Sequence, residues 1–84
     1  MYEILIEKAA ERDLKKIPAV DFERIVMHLR GLAEDARPAG SRKISGSEHD
    51  WRIRVGTYRV IYEIDEKEKT VKILRVRHRR EVYR

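Results

Sequence analysis

Arginine stands on alternate positions along the second half of this chain, in Trp51-Arg52-Ile53-Arg54-Val55, Tyr58-Arg59-Val60-Ile61-Tyr62 and Arg75-Val76-Arg77-His78-Arg79-Arg80-Glu81-Val82-Tyr83. Successive side chains of a strand point to opposite faces, so apolar residues of one parity fill a core while arginines of the other make a single basic surface. A guanidinium donates two parallel hydrogen bonds to phosphate oxygens and stays charged at any physiological pH. Such a surface suits a polyanion. Cutting RNA at its 2′-hydroxyl requires a group that takes the proton, one that spreads the charge growing on the phosphorane, and one that protonates the departing 5′-oxygen. Arginine serves the middle task, worth on the order of 10²–10³ in rate for each preorganised donor. A proton-transfer group, for which Tyr83 and His78 are at hand, adds about 10²–10⁴. On residues alone, holding phosphates is the simpler reading and cutting RNA the further one.

The charge distribution supports a polyanion partner. Residues 1–40 hold seven Lys/Arg against eight Asp/Glu, and residues 41–84 thirteen against seven, so the net charge of +5 resides wholly in the second half. That asymmetry is the footprint of salt-dependent phosphate binding. Other chemistries lack their residues. The three histidines, His28, His49 and His78, have no metal-ligand spacing, and there is no cysteine to supply a thiolate or a disulfide. The glycines Gly31, Gly40, Gly46 and Gly56 are isolated, which leaves no phosphate loop for a nucleotide cofactor. Ser41, Ser45 and Ser47 near His49 and Asp50 read as polar loop residues rather than a nucleophilic triad. No metal and no small-molecule cofactor is expected. The absence of cysteine fits a reducing compartment, the cytoplasm by default. With no signal-peptide pattern and no apolar run near the roughly 20 residues of a membrane helix, the chain is expected to be soluble, with no membrane partner.

The elements that position these arginines follow from periodicity. Tyr2–Glu7 reads as a strand, and Lys8 to about Lys16 as a helix stopped by Pro18. A second helix runs from Ala19 or Val20 to about Ala33 on the stripe Val20, Ile25, Leu29 and Leu32, flanked by Phe22, Val26 and Ala33. After a loop over residues 34–40 the period becomes two, giving strands at 42–45, 51–55, 58–64 and 70–77, with Gly56-Thr57 as a two-residue hairpin turn. The expectation is one α+β domain over residues 1–84, ordered β-α-α-β-β-β-β, its mainly antiparallel sheet covered on one face by an αα-hairpin. Trp51, Ile53, Val55, Tyr58, Val60, Tyr62 and Ile64 are assigned to the core or its rim, and Arg52, Arg54 and Arg59 to the other face. Strand 70–77 breaks parity, since Val71 and Ile73 alternate with Arg75 and Arg77 while Leu74 and Val76 take the opposite positions. It is read as a central strand whose outgoing half emerges into the basic site.

The segments Lys43-Ile44-Ser45-Gly46, Trp51 to Tyr62 and Val76 to Tyr83 together resemble the RelE branch of the RelE/ParE toxin superfamily, in architecture over the whole chain and in motif over about residues 42–83. That resemblance implies a RelE-like fold and a toxin of a type II toxin–antitoxin pair, a metal-independent endoribonuclease that enters the ribosomal A site, cleaves messenger RNA and inhibits translation. It implies catalytic roles for Arg52 and Arg54 in phosphate contact and proton transfer, Arg59 at the scissile phosphate, Arg79 of the last strand in stabilising the transition state, and Tyr83 in stacking on a base and orienting the nucleophile. Arg77 is the alternative to Arg79, and His78 a second candidate acid or base. Lys43, Arg75, Arg77, His78 and Arg80 are the expected RNA-binding residues around them. The implied partners are a cognate antitoxin protein, the ribosome and messenger RNA. ParE-like members share the fold and act on DNA gyrase, and a catalytically inactive RNA-binding module is the alternative outside the family's activities.

Overall fold

The computed structural model describes residues 1–82. Its elements are β1 (Glu3–Ile6), α1 (Lys8–Lys15), α2 (Ala19–Glu34), β2 (Arg42–Lys43), β3 (Asp50–Val55), β4 (Tyr58–Asp65), β5 (Thr70–His78) and α3 (Arg79–Val82). The strands form one sheet in the order β1-β5-β4-β3-β2, antiparallel throughout except where β1 runs parallel to β5. The α+β architecture is the expected one, with two differences. The strand after the long loop is only two residues, and the chain past β5 turns into the short helix α3.

Alternation and helical spacing explain the core. Ala10 and Leu14 of α1 and Ile25, Leu29 and Leu32 of α2 are buried against Ile53, Val55, Val60, Tyr62, Ile64, Val71, Ile73 and Val76 of the sheet. Val20 does not join them and is 71% exposed. It lies five residues before Ile25, which at 3.6 residues per turn is about 140° around the helix. Tyr62 is fully buried and donates its hydroxyl to the Ala36 carbonyl at 2.9 Å, tying the α2–β2 loop to the centre of the sheet.

The mixed parity of residues 70–77 is a β-bulge. Tyr62 pairs with Ile73 and Ile61 with Arg75, leaving Leu74 as an extra residue. Up to Ile73 the odd positions of β5 face the helices; beyond Leu74 the even ones do. Val71, Ile73 and Val76 therefore all reach the core while Arg75 and Arg77 both share the outer face with Ile61 and Arg59.

At the opposite end of the sheet an exposed polar cluster fastens the β4–β5 turn to the chain's start. Glu66 accepts from Tyr2 at 2.6 Å and from Arg37 at 2.7 Å, with Lys69 at 3.3 Å, while the Arg37 guanidinium lies 5.2 Å from the Trp51 ring centre. The Tyr2 hydroxyl first, then Arg37, hold the Glu66 carboxyl down to about 2. A carboxyl whose pKa falls on folding stabilises the fold above its ordinary value of 4.5, and the contribution is lost as pH drops toward 2. Because the cluster is open to solvent, salt screens it. An NMR titration of the Glu66 carboxyl should show a midpoint well below 4.5 at low ionic strength that climbs toward that value in about 1 M salt; an ordinary midpoint at low salt would show that the cluster does not form.

Candidate nucleic-acid interface

Strand register places six arginines on the sheet face turned away from the helices. Arg54, Arg59 and Arg77 stand directly opposite one another across β3, β4 and β5, and Arg42, Arg52, Ile61 and Arg75 form the next row across β2 to β5. Strands lie about 4.8 Å apart and same-face residues about 7 Å apart along a strand. Both rows thus fit within the reach of a few nucleotides. Further along the same face, Asp50 opposes Glu63 and Glu63 opposes Lys72, so the surface changes sign from one end to the other.

The rows are not uniformly exposed, contrary to the sequence-based expectation of an open basic surface. Arg59, on the central strand between Arg54 and Arg77, keeps only 8% of its surface. Neighbouring guanidiniums sum to a local positive potential that an arriving phosphate relieves. Arg54, Arg59, Arg79 and Arg80, with Gly56 and Thr57, line a depression of about 330 Å³ at the β3–β4 turn. Gly56 is the residue that turn demands, with φ 61°, and a side chain there would meet the Arg24 guanidinium of α2 at 3.3 Å. A second hollow of about 760 Å³ runs beside β3, between Arg42, Arg52 and Arg54 and the α2 residues Met27, His28 and Gly31. Arg54 borders both.

The remaining expected residues sort differently. Arg79 does not continue β5; its N–H donates to the Thr57 carbonyl at 2.7 Å and starts α3, which carries Arg79 and Arg80 over the hairpin. Within the strand, Arg77 is the arginine opposite Arg59. His78 pairs with Tyr58 on the helix side of the sheet, where the two rings meet edge to face at 5.3 Å. Its Nδ1 accepts the Arg80 N–H at 3.2 Å, so the neutral ring carries its proton on Nε2. Lys43 is opposite Trp51, on that same helix side, while Arg42 takes the arginine face. Arg75 is drawn to Asp13 of α1, which receives its Nε at 2.8 Å and Nη2 at 3.1 Å. Tyr83 lies outside the described residues. Arg42 was missed although its pairing with Arg52 follows once the register is known; Arg24, placed by the packing of α2, left no signal in the sequence. Among the described residues no group of three or more His, Cys, Asp or Glu is arranged to hold a metal ion.

The sequence and the fold have counterparts among known proteins. Residues 4–83 match the family described as ParE toxin of type II toxin–antitoxin system, parDE. The chain belongs to the RelE/ParE family of type II toxins. Toxin RelG of Mycobacterium tuberculosis is 36% identical over 87 aligned residues, covering 99% of this chain and 97% of its own. Two solved structures are similar along nearly their whole length. The archaeal RelE–RelB complex from Pyrococcus horikoshii matches with a TM-score of 0.83 and 29% identity over 93% of this chain and 94% of the other. The toxin–antitoxin complex RelBE2 of Mycobacterium tuberculosis matches with 0.80 and 31% over 92% and 96%.

If the two rows of this RelE/ParE toxin take phosphates, removing one arginine should flatten the salt dependence of binding. For a short single-stranded RNA, Arg52→Ala and Arg54→Ala are each expected to lower the slope of log K against log salt by about 0.7 per lost phosphate contact, while Lys72→Ala leaves it unchanged. Equal effects from all three, measured by fluorescence anisotropy, would mean that the rows are not the interface.

Proposed function

We propose that this toxin is an endoribonuclease that cleaves messenger RNA in the ribosomal A site, using guanidinium groups and no metal ion, and so arrests translation in the cytoplasm. The observation that supports the reading is the double row of arginines on one sheet face, with Arg59 enclosed between Arg54 and Arg77. In this mechanism Arg59 meets the scissile phosphate. Arg54 and Arg77 flank it and share the charge that builds on the phosphorane, in a partly closed setting where such donors act more strongly than in water. Arg52 and Arg42 hold the neighbouring phosphate, and Arg79 and Arg80 of α3 close the other side of the hollow.

A guanidinium, with a pKa far above 7, stabilises charge well and exchanges protons poorly. Proton transfer therefore falls to Tyr83, with His78 as the second candidate from the far side of the strand. Tyr83 also stacks on a base, for which its ring is suited. Lys43 stands on the helix side of β2, opposite Trp51, and has no part in this mechanism.

The partner is a cognate antitoxin, as in the relatives solved as toxin–antitoxin complexes. Two surface features favour such a chain. Past Arg52 the outer edge of β3 has lost its pairing with β2, and Met27 of α2, 72% exposed, stands beside it. An unpaired strand edge beside apolar surface invites a partner segment.

Toeprinting in a translation extract tests the reading. The toxin is expected to produce new breaks within codons, slowed about 10²–10³-fold in Arg59→Ala and comparably in Tyr83→Ala, with ribosome binding retained. Translation that continues while gyrase supercoiling stops would instead support the ParE-like activity that the family match also covers. An intact message whose RNA is still retarded on a gel would reduce the site to a binding surface.

A further inference from the structure

Arg75 and Arg77 join the arginine face because β5 changes parity at Leu74, and the change happens where the strand loses a neighbour. β1 pairs with β5 through Ile73, and the last bond from that side runs from Glu7 N–H to the Ile73 carbonyl at 3.0 Å. Beyond it that edge of β5 would be bare. Asp13 fills the position. One of its carboxylate oxygens accepts both the Val76 backbone N–H at 2.9 Å and Arg75 Nε at 2.8 Å, and the other accepts Arg75 Nη2 at 3.1 Å. These three bonds clamp the two residues that follow the extra one. α1 holds the carboxylate still, because its neighbours Ala10 and Leu14 are anchored in the core and the Asp13 side chain is only 14% exposed.

Without the bulge, Leu74 would oppose Ile61, Arg75 would oppose Val60, and Arg77 would oppose Tyr58 on the helix side. Val76 would then leave the core to face Arg59. Burying two arginines in exchange for one valine is unfavourable, so the core alone disfavours a full slip. What the core does not do is fix the strand beyond Leu74 to within a fraction of an ångström. A bulge is locally loose in its hydrogen bonding, and the residue that must be placed closely, Arg77, directly follows the clamped Val76.

We infer that Asp13 is a positioning residue for the basic site: by bonding Arg75 and the Val76 amide, it fixes the strand just past the bulge and so holds Arg77 closely opposite Arg59. Asp13 touches no substrate and acts only through β5. Its carboxyl is raised by burial, yet lowered more by the Arg75 and Val76 hydrogen bonds and by the charges of Arg75 and Arg77, and so remains ionised as the clamp requires. The effect on activity rests on the RNA-cleavage reading; the effect on register does not.

The experiment is a double-mutant cycle between Asp13→Ala and Arg77→Ala, read by single-turnover cleavage on programmed ribosomes and, separately, by NMR of the purified toxin. Asp13→Ala is expected to lower the cleavage rate about 10–100-fold with KM moved by less than about threefold, since a small misplacement of a charge-stabilising group acts on the transition state. In the Arg77→Ala background the same change should cost almost nothing, because the group it positions is gone. Asp13→Asn, which keeps an acceptor for Val76 but not the charge facing Arg75, should fall between, and Glu11→Ala on the exposed side of α1 should match the parent. A merely structural Asp13 would lower activity equally in both backgrounds, which overturns the inference, as does an unchanged rate in Asp13→Ala. By NMR, the cross-strand contact between Arg59 and Arg77 and the protection of the Val76 amide should weaken together in Asp13→Ala. If the parent toxin cuts no message, the cleavage reading fails while the NMR result still decides the clamp: retention of both signals refutes it and their joint loss supports it.

Discussion

A side chain in a strand has two faces available, and in β5 the assignment reverses at Leu74. That reversal lets one nine-residue strand send Val71, Ile73 and Val76 into the core and still present Arg75 and Arg77 to the other side. A regular strand of the same composition would have to bury arginine or expose valine. The cost of the extra residue is a locally open ladder, offset by a carboxylate from α1 that takes the place of the departing neighbour strand. The outgoing half of β5 is thus tied to the helical layer, where the chain's excess of positive charge is absent.

From that constraint the electrostatics of the site follow. β4 is central, so its arginine, Arg59, is the one enclosed, while Arg54 and Arg77 on the adjoining strands complete a row of three. The tight Gly56-Thr57 connection ends the row, and the Arg79 bond to Thr57 folds α3 back across it. Positive charge is gathered at the hairpin end of the face and acid at the other, an arrangement that orients a phosphate chain as well as attracting it. The fold supplies a platform, and the residues carried on its outer face decide what that platform can bind.

Much of this was readable in the chain itself. The alternation of Arg52, Ile53, Arg54 and Val55 and of Tyr58 through Ile64 gave the correct faces, because an antiparallel hairpin with a two-residue turn leaves no freedom in register. The helical hairpin was legible from Pro18 and from Ile25, Leu29 and Leu32. What stayed hidden needed tertiary pairing. Residues 70–77 showed their broken parity in the sequence, yet a bulge and a strand emerging from the core leave the same pattern until a partner strand is known. The family resemblance groups His78 and Lys43 with the arginines, whereas pairing with Tyr58 and Trp51 puts them on the helix side. The family resemblance put Arg79 on the last strand, whereas its hydrogen bond to Thr57 starts α3 there instead. Arg42 became visible only through its partner Arg52.

Joint action of guanidiniums from four strands on one anion chain is the property on which the proposed function rests. It is tested most directly by following the arginine side-chain N–H signals while a non-cleavable single-stranded RNA is added at low ionic strength. Arg42, Arg52, Arg54, Arg59 and Arg77 are expected to shift together along one binding curve, with Arg12 and Arg30 of the helices unmoved. Shifts confined to the helices, or arginines of the two rows responding with unrelated affinities, would contradict it.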